Sequence, residues 1–305
     1  MKLVGSFTLS ALLLACWASL SAFDHARFRP PGAAQDSRER AMYVSVLDDK
    51  GTPVTDLTAA QFVVREDGVR REVLRIRPAT NPIDIALLID NTQAMEPFTS
   101  DLRLALASFV EQMSKKNRIA LITFADRPTI VTDYTSDLTR LTRGVKRVFA
   151  QPGSGSYLLD AIVEVCRGIK KREPERVAIV AVLTEGTEFS NLNYQVVLDS
   201  LRASGAKFDA LVVSIGQAAD VLSDGGRNRA IVLDQGTGLA GGRRVDLLSG
   251  MGLGDALKRL ASELSNQYLV TYSRPESLIP PEKIEVSVTR PGLVARGTPA
   301  RDKRG

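Results

Sequence analysis

Residues 83–95 of the chain, IDIALLIDNTQAM, contain the segment that decides the fold. The first seven residues are apolar apart from Asp84, and such a run predicts a short strand that is buried on both faces of a sheet and ends at Asp90. Apolar residues then recur at helical spacing, at Leu102, Ala105, Leu106, Phe109, Val110 and Met113. A buried strand followed by an amphipathic helix predicts a parallel sheet whose faces are covered by helices.

The same alternation continues over residues 82–274. Further strands are predicted at 119–124, 129–132, 177–183, 208–215 and 268–272, and further helices at 137–149, 156–170, 194–203 and 254–267. Because parallel crossovers are right-handed, the predicted fold is an α/β domain with a doubly wound, mostly parallel sheet. Ligands of such sheets bind at the carboxyl ends of the strands. The candidate crevice therefore lies at the loops after Asp90, before Ser156 and after Leu183.

A small β module is predicted before this domain, at residues 39–78. Its strands are marked by alternating polarity at 43–47, 62–64 and 72–76. Strands as few and short as these do not close a sandwich alone. Because residues 283–289 alternate in the same way, residues 275–292 are predicted to return as a C-terminal strand of the module. Residues 293–305 are predicted to form a disordered tail.

The first 22 residues have the features of a secretory signal. Lys2 is followed by a nearly uncharged apolar run and then by small residues that end at Ala22. Two processing routes stay open, namely cleavage after Ala22 and acylation of Cys16, which follows a lipobox-like Leu-Leu-Ala. Residues 23–38 are predicted to be a flexible leader. The protein is expected to be exported to an extracellular, periplasmic or cell-envelope location and to contact a membrane only through a lipid on Cys16.

The composition excludes several classes of function. The chain of 305 residues has one histidine, His25, which lies in the leader, and one cysteine outside the signal, Cys166. Imidazole-dependent catalysis and an intramolecular disulfide are therefore excluded, and no GxSxG nucleophile motif is present. The net charge is +5, but the basic clusters lack interleaved aromatic residues, so nucleic-acid binding is not indicated. We predict that the protein is not an enzyme.

Three classes of ligand can bind at the predicted crevice. A dinucleotide needs a GxGxxG turn, and the loop after the first α/β strand contains no glycine between Asp90 and Ala94. A P-loop motif is absent. Residues 153–156, GSGS, either present N–H groups to an anion at a helix N-terminus or form a simple capping loop, and capping is the favoured interpretation. The third class is a hard cation held by carboxylate and hydroxyl oxygens.

Three sequence elements resemble the von Willebrand factor A (VWA) domain family. IDIALLIDNTQAM is similar to the family's first strand and metal loop, in which Asp-x-Ser-x-Ser supplies oxygens to a divalent cation. Residues 155–161, GSYLLDA, and 183–186, LTEG, are similar to its second and third metal-binding elements. The resemblance implies a metal-ion-dependent adhesion site at Asp90, Thr92, Ser156 and Glu185, with Mg²⁺ or Mn²⁺ as the cofactor where the site is intact.

The chain departs from the family's metal motif at two positions. Ala94 has no side-chain oxygen and removes one ligand, and Glu185 is one methylene longer than the family's aspartate. Because Mg²⁺ requires short distances and near-octahedral geometry, both changes weaken the predicted site. We therefore predict a degenerate metal site, or else no cofactor.

The flanking segments also resemble a group of exported bacterial VWA-related proteins of largely uncharacterised role. The first functional hypothesis is a binding protein that engages a protein or peptide ligand at the crevice, in adhesion or another protein–protein interaction. The alternative is a metal-free structural or scaffold component of a cell-envelope assembly. An enzymatic role is the weakest interpretation, because no pair of nucleophile and base is visible in the sequence.

Overall fold

The computed structural model describes residues 37–216, 222–275, 279 and 281–301. The predicted signal at residues 1–22, Cys16 and nearly all of the leader lie outside the described residues. In chain order the described strands are β1 (Ser37–Leu47), β2 (Phe62–Glu66), β3 (Val69–Arg71), β4 (Val73–Pro78), β5 (Asp84–Ile89), β6 (Arg118–Thr123), β7 (Thr129–Thr135), β8 (Val177–Thr184), β9 (Lys207–Val213), β10 (Arg244–Leu247), β11 (Tyr268–Pro275), β12 (Ile284–Val288) and β13 (Val294–Pro299).

The helices cover both faces of one of the resulting sheets. They are α1 (Thr99–Met113), α2 (Leu138–Lys146), α3 (Leu158–Arg172), α4 (Tyr194–Ser204), α5 (Asp224–Ile231), α6 (Thr237–Leu239) and α7 (Leu253–Ser265). A π-helical turn, Val232–Gly236, joins α5 to α6, and 3-10 turns lie at Ala59–Gln61, Gln93–Phe98 and Gly250–Gly252. Within the described part of the chain, no helix is long and apolar enough to cross a membrane.

Six strands form the central sheet in the order β10-β9-β8-β5-β6-β7. All neighbouring pairs are parallel except β6 and β7, which are antiparallel. Helices α1, α2 and α7 pack on one face, and α3 and α4 pack on the other. Strand β5 is buried along its whole length because it lies between these two layers, which explains why its sequence does not alternate. The predicted doubly wound α/β fold is confirmed.

The remaining strands form a small β-sandwich of two antiparallel sheets. One sheet has the order β13-β1-β11-β4 and the other has the order β12-β2-β3. Side chains from both sheets share one apolar core, which includes Met42, Val44, Phe62, Val270 and Tyr272. Strand β12 pairs with β2 over the predicted C-terminal run, so a returning strand does complete the N-terminal β module.

Two predictions about the C-terminal half of the chain were wrong. The strand predicted at 268–272 within the α/β domain is β11, which pairs with β1 and β4 of the sandwich rather than with the central sheet. The sheet edge is taken instead by β10, a short strand that is mostly not buried and so has no apolar run to reveal it. Residues 294–299 of the predicted disordered tail form β13, whose backbone pairs with β1.

Arg176 connects the sandwich to the central sheet. Its side chain is buried, and burial lowers the pKa of Arg176 to about 10. The guanidinium lies over the Tyr43 ring of β1, with 5.0 Å between the carbon and the ring centroid. It donates hydrogen bonds to four oxygens, namely Ala79 O (3.1 Å), Asn81 O (3.1 Å), Leu264 O (2.6 Å) and Gln267 Oε1 (2.6 Å). One side chain therefore satisfies the carbonyls of two separate connections between the sandwich and the central sheet.

We expect Arg176→Met to lower the free energy of unfolding by about 3 kcal/mol, because it leaves several buried oxygens without donors. Urea unfolding of the chain from Ser37 onward measures this change. The matched control is Arg140→Met on the exposed face of α2, which should alter stability by less than about 0.5 kcal/mol. Equal losses in the two variants would show that Arg176 is not a structural connection.

Candidate functional site

An open cleft of about 430 Å³ lies at the carboxyl edge of the central sheet. It is located where the neighbours of β5 diverge, with β6 on one side and β8 on the other. In a sheet of this type, the position at which the strand order reverses leaves a crevice between the loops. The lining includes Thr92, Phe98, Ser154, Gly186, Thr187 and Phe189.

Asp90 directly follows β5 and is almost completely buried, at 1% exposure. Its Oδ1 accepts the N–H of Thr92 at 2.8 Å. Its Oδ2 accepts the N–H and the hydroxyl of Thr184, at 2.8 and 2.7 Å. None of the ion pairs among the described residues includes Asp90. The carboxylate is thus held by neutral donors and connects the end of β5 to the end of β8.

Thr92 brings an unused hydroxyl to the cleft. The side chain is 2% exposed, and within the part of the chain that the structure describes its Oγ1 has no hydrogen-bond partner. Gly186 lies over it, since a Cβ built on this glycine would be 3.9 Å from Thr92 Oγ1 and 3.0 Å from the Ala94 methyl. A buried hydroxyl without a partner is uncommon and destabilising unless something else binds it.

Ser156 and Glu188 together cap helix α3. The Ser156 hydroxyl donates to Glu188 Oε2 at 2.8 Å and accepts the N–H of Leu158 at 3.3 Å. Glu188 Oε1 accepts the N–H of Leu159 at 3.5 Å, and Ser190 Oγ accepts that of Asp160 at 3.3 Å. The first N–H groups of α3 are therefore occupied, which supports the capping interpretation of residues 153–156 over an anion site.

Glu188 is a buried acid that the sequence analysis missed. Burial raises its pKa, while the hydroxyls of Ser190 and Ser156 and the charge of Arg229 act in the opposite direction. Glu188 has no sequence signal, because its role as a cap depends on a helix that begins thirty residues earlier. Thr184 was missed for the same reason, since only the pairing of β5 with β8 places it against Asp90.

Glu185 is partly exposed at the end of β8. Its Oε2 accepts the Ser214 hydroxyl at 3.0 Å and the N–H of Ile215 at 3.4 Å, both of which follow β9. The four predicted metal ligands thus lie on the loops of one sheet edge, but three of them, Asp90, Ser156 and Glu185, are engaged with other groups. Ala94 supplies no oxygen, and no group of three or more acidic, histidine or cysteine side chains suited to a metal occurs among the described residues. As placed, these residues do not fit a preformed site for Mg²⁺ or Mn²⁺.

The comparison with protein families bears on the central domain. Residues 85–188 match the family model of the von Willebrand factor type A domain. The matched segment begins in β5, includes all four predicted ligand positions and ends at Glu188. The resemblance drawn from the Asp90 loop is confirmed, with the match to the VWA family extending over residues 85–188. The search of curated proteins found no match.

Several solved structures are similar to the chain. The VWA domain of the type V pili tip protein Mfa5 from Porphyromonas gingivalis is 10% identical, with a TM-score of 0.47 over 61% of this chain and 96% of its own. BatB from Bacteroides thetaiotaomicron is 15% identical, with a TM-score of 0.44 over 60% and 97%. Proximal thread matrix protein 1 from the mussel byssus is 14% identical, with a TM-score of 0.46 over 66% and 50%.

We expect Glu188→Ala to speed amide hydrogen exchange at Leu158 and Leu159 and to lower the free energy of unfolding by about 1–2 kcal/mol, because it removes the cap of α3. Glu188→Gln keeps an accepting oxygen and should lower the free energy of unfolding by less. Hydrogen exchange followed by NMR measures the local effect.

The control for this experiment is Glu185→Ala, in the same loop but bonded to the end of β9. It should leave exchange at the start of α3 unchanged. Unaltered exchange in Glu188→Ala would refute the capping role of Glu188.

Proposed function

We propose that this chain, with its VWA domain, is an exported binding protein that engages a protein or peptide ligand at the cleft and performs no catalysis. The observation that carries the proposal is the open cleft with a buried, unpaired Thr92 hydroxyl at the carboxyl edge of the sheet. The secretory features of residues 1–22 support export. The described residues contain no histidine, and Cys166 is buried, which supports a non-enzymatic role.

Exposed apolar side chains at this edge of the sheet support protein binding. Leu248 follows β10 and is 97% exposed, and Met251 in the next turn is 81% exposed. Phe189, which lines the cleft, is 54% exposed. The turn at Gly250 contacts Phe98, another cleft residue, so the two groups are neighbours. Large apolar side chains that cluster on one surface are typical of sites where proteins associate.

We further propose that binding at the cleft does not depend on a metal ion. Asp90, Thr92, Ser156 and Glu185 would hold Mg²⁺ or Mn²⁺ only weakly, as a degenerate metal-ion-dependent adhesion site. The loss of the Ala94 oxygen and the engagement of Ser156 and Glu185 support this version of the proposal. The hydrogen bonds from Thr92 and Thr184 to Asp90 hold the crevice loops in place.

A second candidate function is a structural component of a cell-envelope assembly. It is favoured by the three hydrogen bonds that Asp90 accepts from Thr92 and Thr184, which hold the crevice loops together without any ligand. In that case the partners would contact other surfaces, such as the sandwich. The position of contact with a partner therefore separates the two candidates.

Site-specific crosslinking of the full chain in its producing cells tests the proposal. A photoreactive phenylalanine analogue at Phe189 or Met251 should give one dominant adduct with a partner protein. The same analogue at Leu104 on α1 or Val69 on β3, which are also exposed, should give little. Adducts mainly from Val69 would favour the scaffold function and contradict the proposed role of the cleft.

Calorimetry with Mg²⁺ and Mn²⁺ tests the proposal that the cleft holds a metal ion only weakly. The unaltered chain should show no saturable binding below millimolar metal. The double variant Ala94→Ser, Glu185→Asp restores the missing oxygen and the shorter acid, and it should bind at least about tenfold more tightly. Adding Asp90→Ala to the double variant is the control that should abolish this gain. Saturation of the unaltered chain at micromolar metal would overturn the proposal.

A further inference from the structure

A carboxylate that makes no ion pair among the described residues lies buried next to the cleft, beside the lining residue Thr92. Asp90 is buried and held by three neutral donors. The loop after β8 adds Glu185 and Glu188, and the facing cation is Arg229, which bonds to the Gly186 carbonyl and acts electrostatically on Glu188. Buried charges in proteins are usually paired with an opposite charge. Asp90 and Glu185 thus place two carboxyl groups beside the cleft at the carboxyl edge of the sheet.

Unused acceptors lie at the same point. Thr92 Oγ1 is buried without a partner, and Thr92 lines the cleft. Asp90 Oδ1 accepts only the Thr92 N–H among the described residues, so one of its lone pairs is free. Gly186 carries no side chain that could cover Thr92 Oγ1, and a Cβ there would already lie only 3.0 Å from the Ala94 methyl. A group that donates several hydrogen bonds and carries a positive charge matches both features.

We infer that the cleft binds a primary ammonium group of its ligand, of the kind a lysine side chain carries, with Thr92 Oγ1 and Asp90 Oδ1 as accepting oxygens. The inference rests on the proposed function of the cleft. An ammonium group is compact and offers three donors, and its aliphatic stem packs well on apolar walls. Phe98, Pro97 and Phe189 provide such walls along the same cleft.

A carboxylate ligand fits this cleft poorly. The family resemblance implies a partner carboxylate that completes the coordination of a bound metal ion. Here the oxygens do not form a preformed metal-ion site, so a carboxylate would be placed beside Asp90 with no metal ion between them. Like charges at short range repel, most strongly where water is excluded. Loss of the metal site therefore reverses the charge of the ligand group that the cleft prefers.

NMR titration of the isotope-labelled chain with small probes tests the inference. Nα-acetyl-lysine methylamide should shift the amide signals of Thr92, Gly186 and Thr187 in a saturable way, with a dissociation constant of roughly millimolar order for so small a probe. Acetyl-norleucine methylamide has the same stem without the ammonium and should cause no saturable shift. Acetyl-glutamate methylamide should also fail to bind, with or without Mg²⁺.

Two further probes define the ligand chemistry. Glycine methylamide carries an α-ammonium, and its binding in place of the lysine probe would assign the site to a protein N-terminus, which still supports an ammonium site. Acetyl-arginine methylamide presents a planar guanidinium, and tighter binding of this probe than of the lysine probe would overturn the inference.

Thr92→Val is the variant that tests the contact. The hydroxyl it removes has no partner, so the fold should be retained, and the dissociation constant of the lysine probe should rise about tenfold. Thr187→Val removes an exposed hydroxyl from the same cleft and is the matched control, with an expected change below about twofold. Equal effects of the two variants, or no saturable binding of either ammonium probe, would overturn the inference.

Crosslinking at Phe189 separates this inference from the proposed function. The crosslinking is repeated with the full chain and an extract of the producing cells, and acetylating the amines of that extract should abolish the Phe189 adduct if an ammonium is the recognised group. An adduct that persists after acetylation would leave the cleft as a binding site but refute the ammonium. Absence of any adduct at Phe189, together with saturable lysine-probe binding, would refute the protein ligand and retain the ammonium site.

Discussion

The hydrogen bonds between Asp90 and Thr184 are the constraint on which the candidate site depends. They join the ends of two neighbouring parallel strands at the position where the chain turns to opposite sides of the sheet. A buried carboxylate is tolerated only where donors surround it, so the loops that follow β5 and β8 have little freedom. This arrangement brings Thr92 and Gly186 together. The shape of the cleft therefore follows from the hydrogen bonds that the buried Asp90 carboxylate requires.

Internal hydrogen bonds also explain why this crevice departs from the metal site that the family resemblance implies. Ser156 and Glu188 use their oxygens to cap α3, and Glu185 uses its own to bind the end of β9. Oxygens already engaged with N–H and O–H donors are poor ligands, because a cation would have to displace those bonds. The crevice therefore keeps its form through internal hydrogen bonds, and Thr92 is left as the hydroxyl available to an external group.

Much of the fold was predictable, because buried strands and amphipathic helices leave strong periodic patterns. Asp90 and the apolar run before it located both the sheet and the crevice. Strand β10 was missed because an edge strand needs no apolar face, and β13 was missed because its backbone pairing with β1 requires little apolar sequence. Thr184 and Glu188 were missed for a further reason. Their roles arise from contacts across the sheet and across a loop, which local sequence does not encode.

The sandwich and the cleft lie at opposite ends of the central strands. Arg176 precedes β8 and Lys207 begins β9, so both lie at the amino edge of the central sheet. There they line one pocket together with Tyr43 of the sandwich. Arg301, just after β13, donates to Ser204 O at 2.7 Å, at the C-terminal end of α4 and hence at the same edge. Strands of six to eight residues span about 20 Å or more. The sandwich thus covers the amino edge of the central sheet, at the end opposite the cleft and its exposed apolar residues.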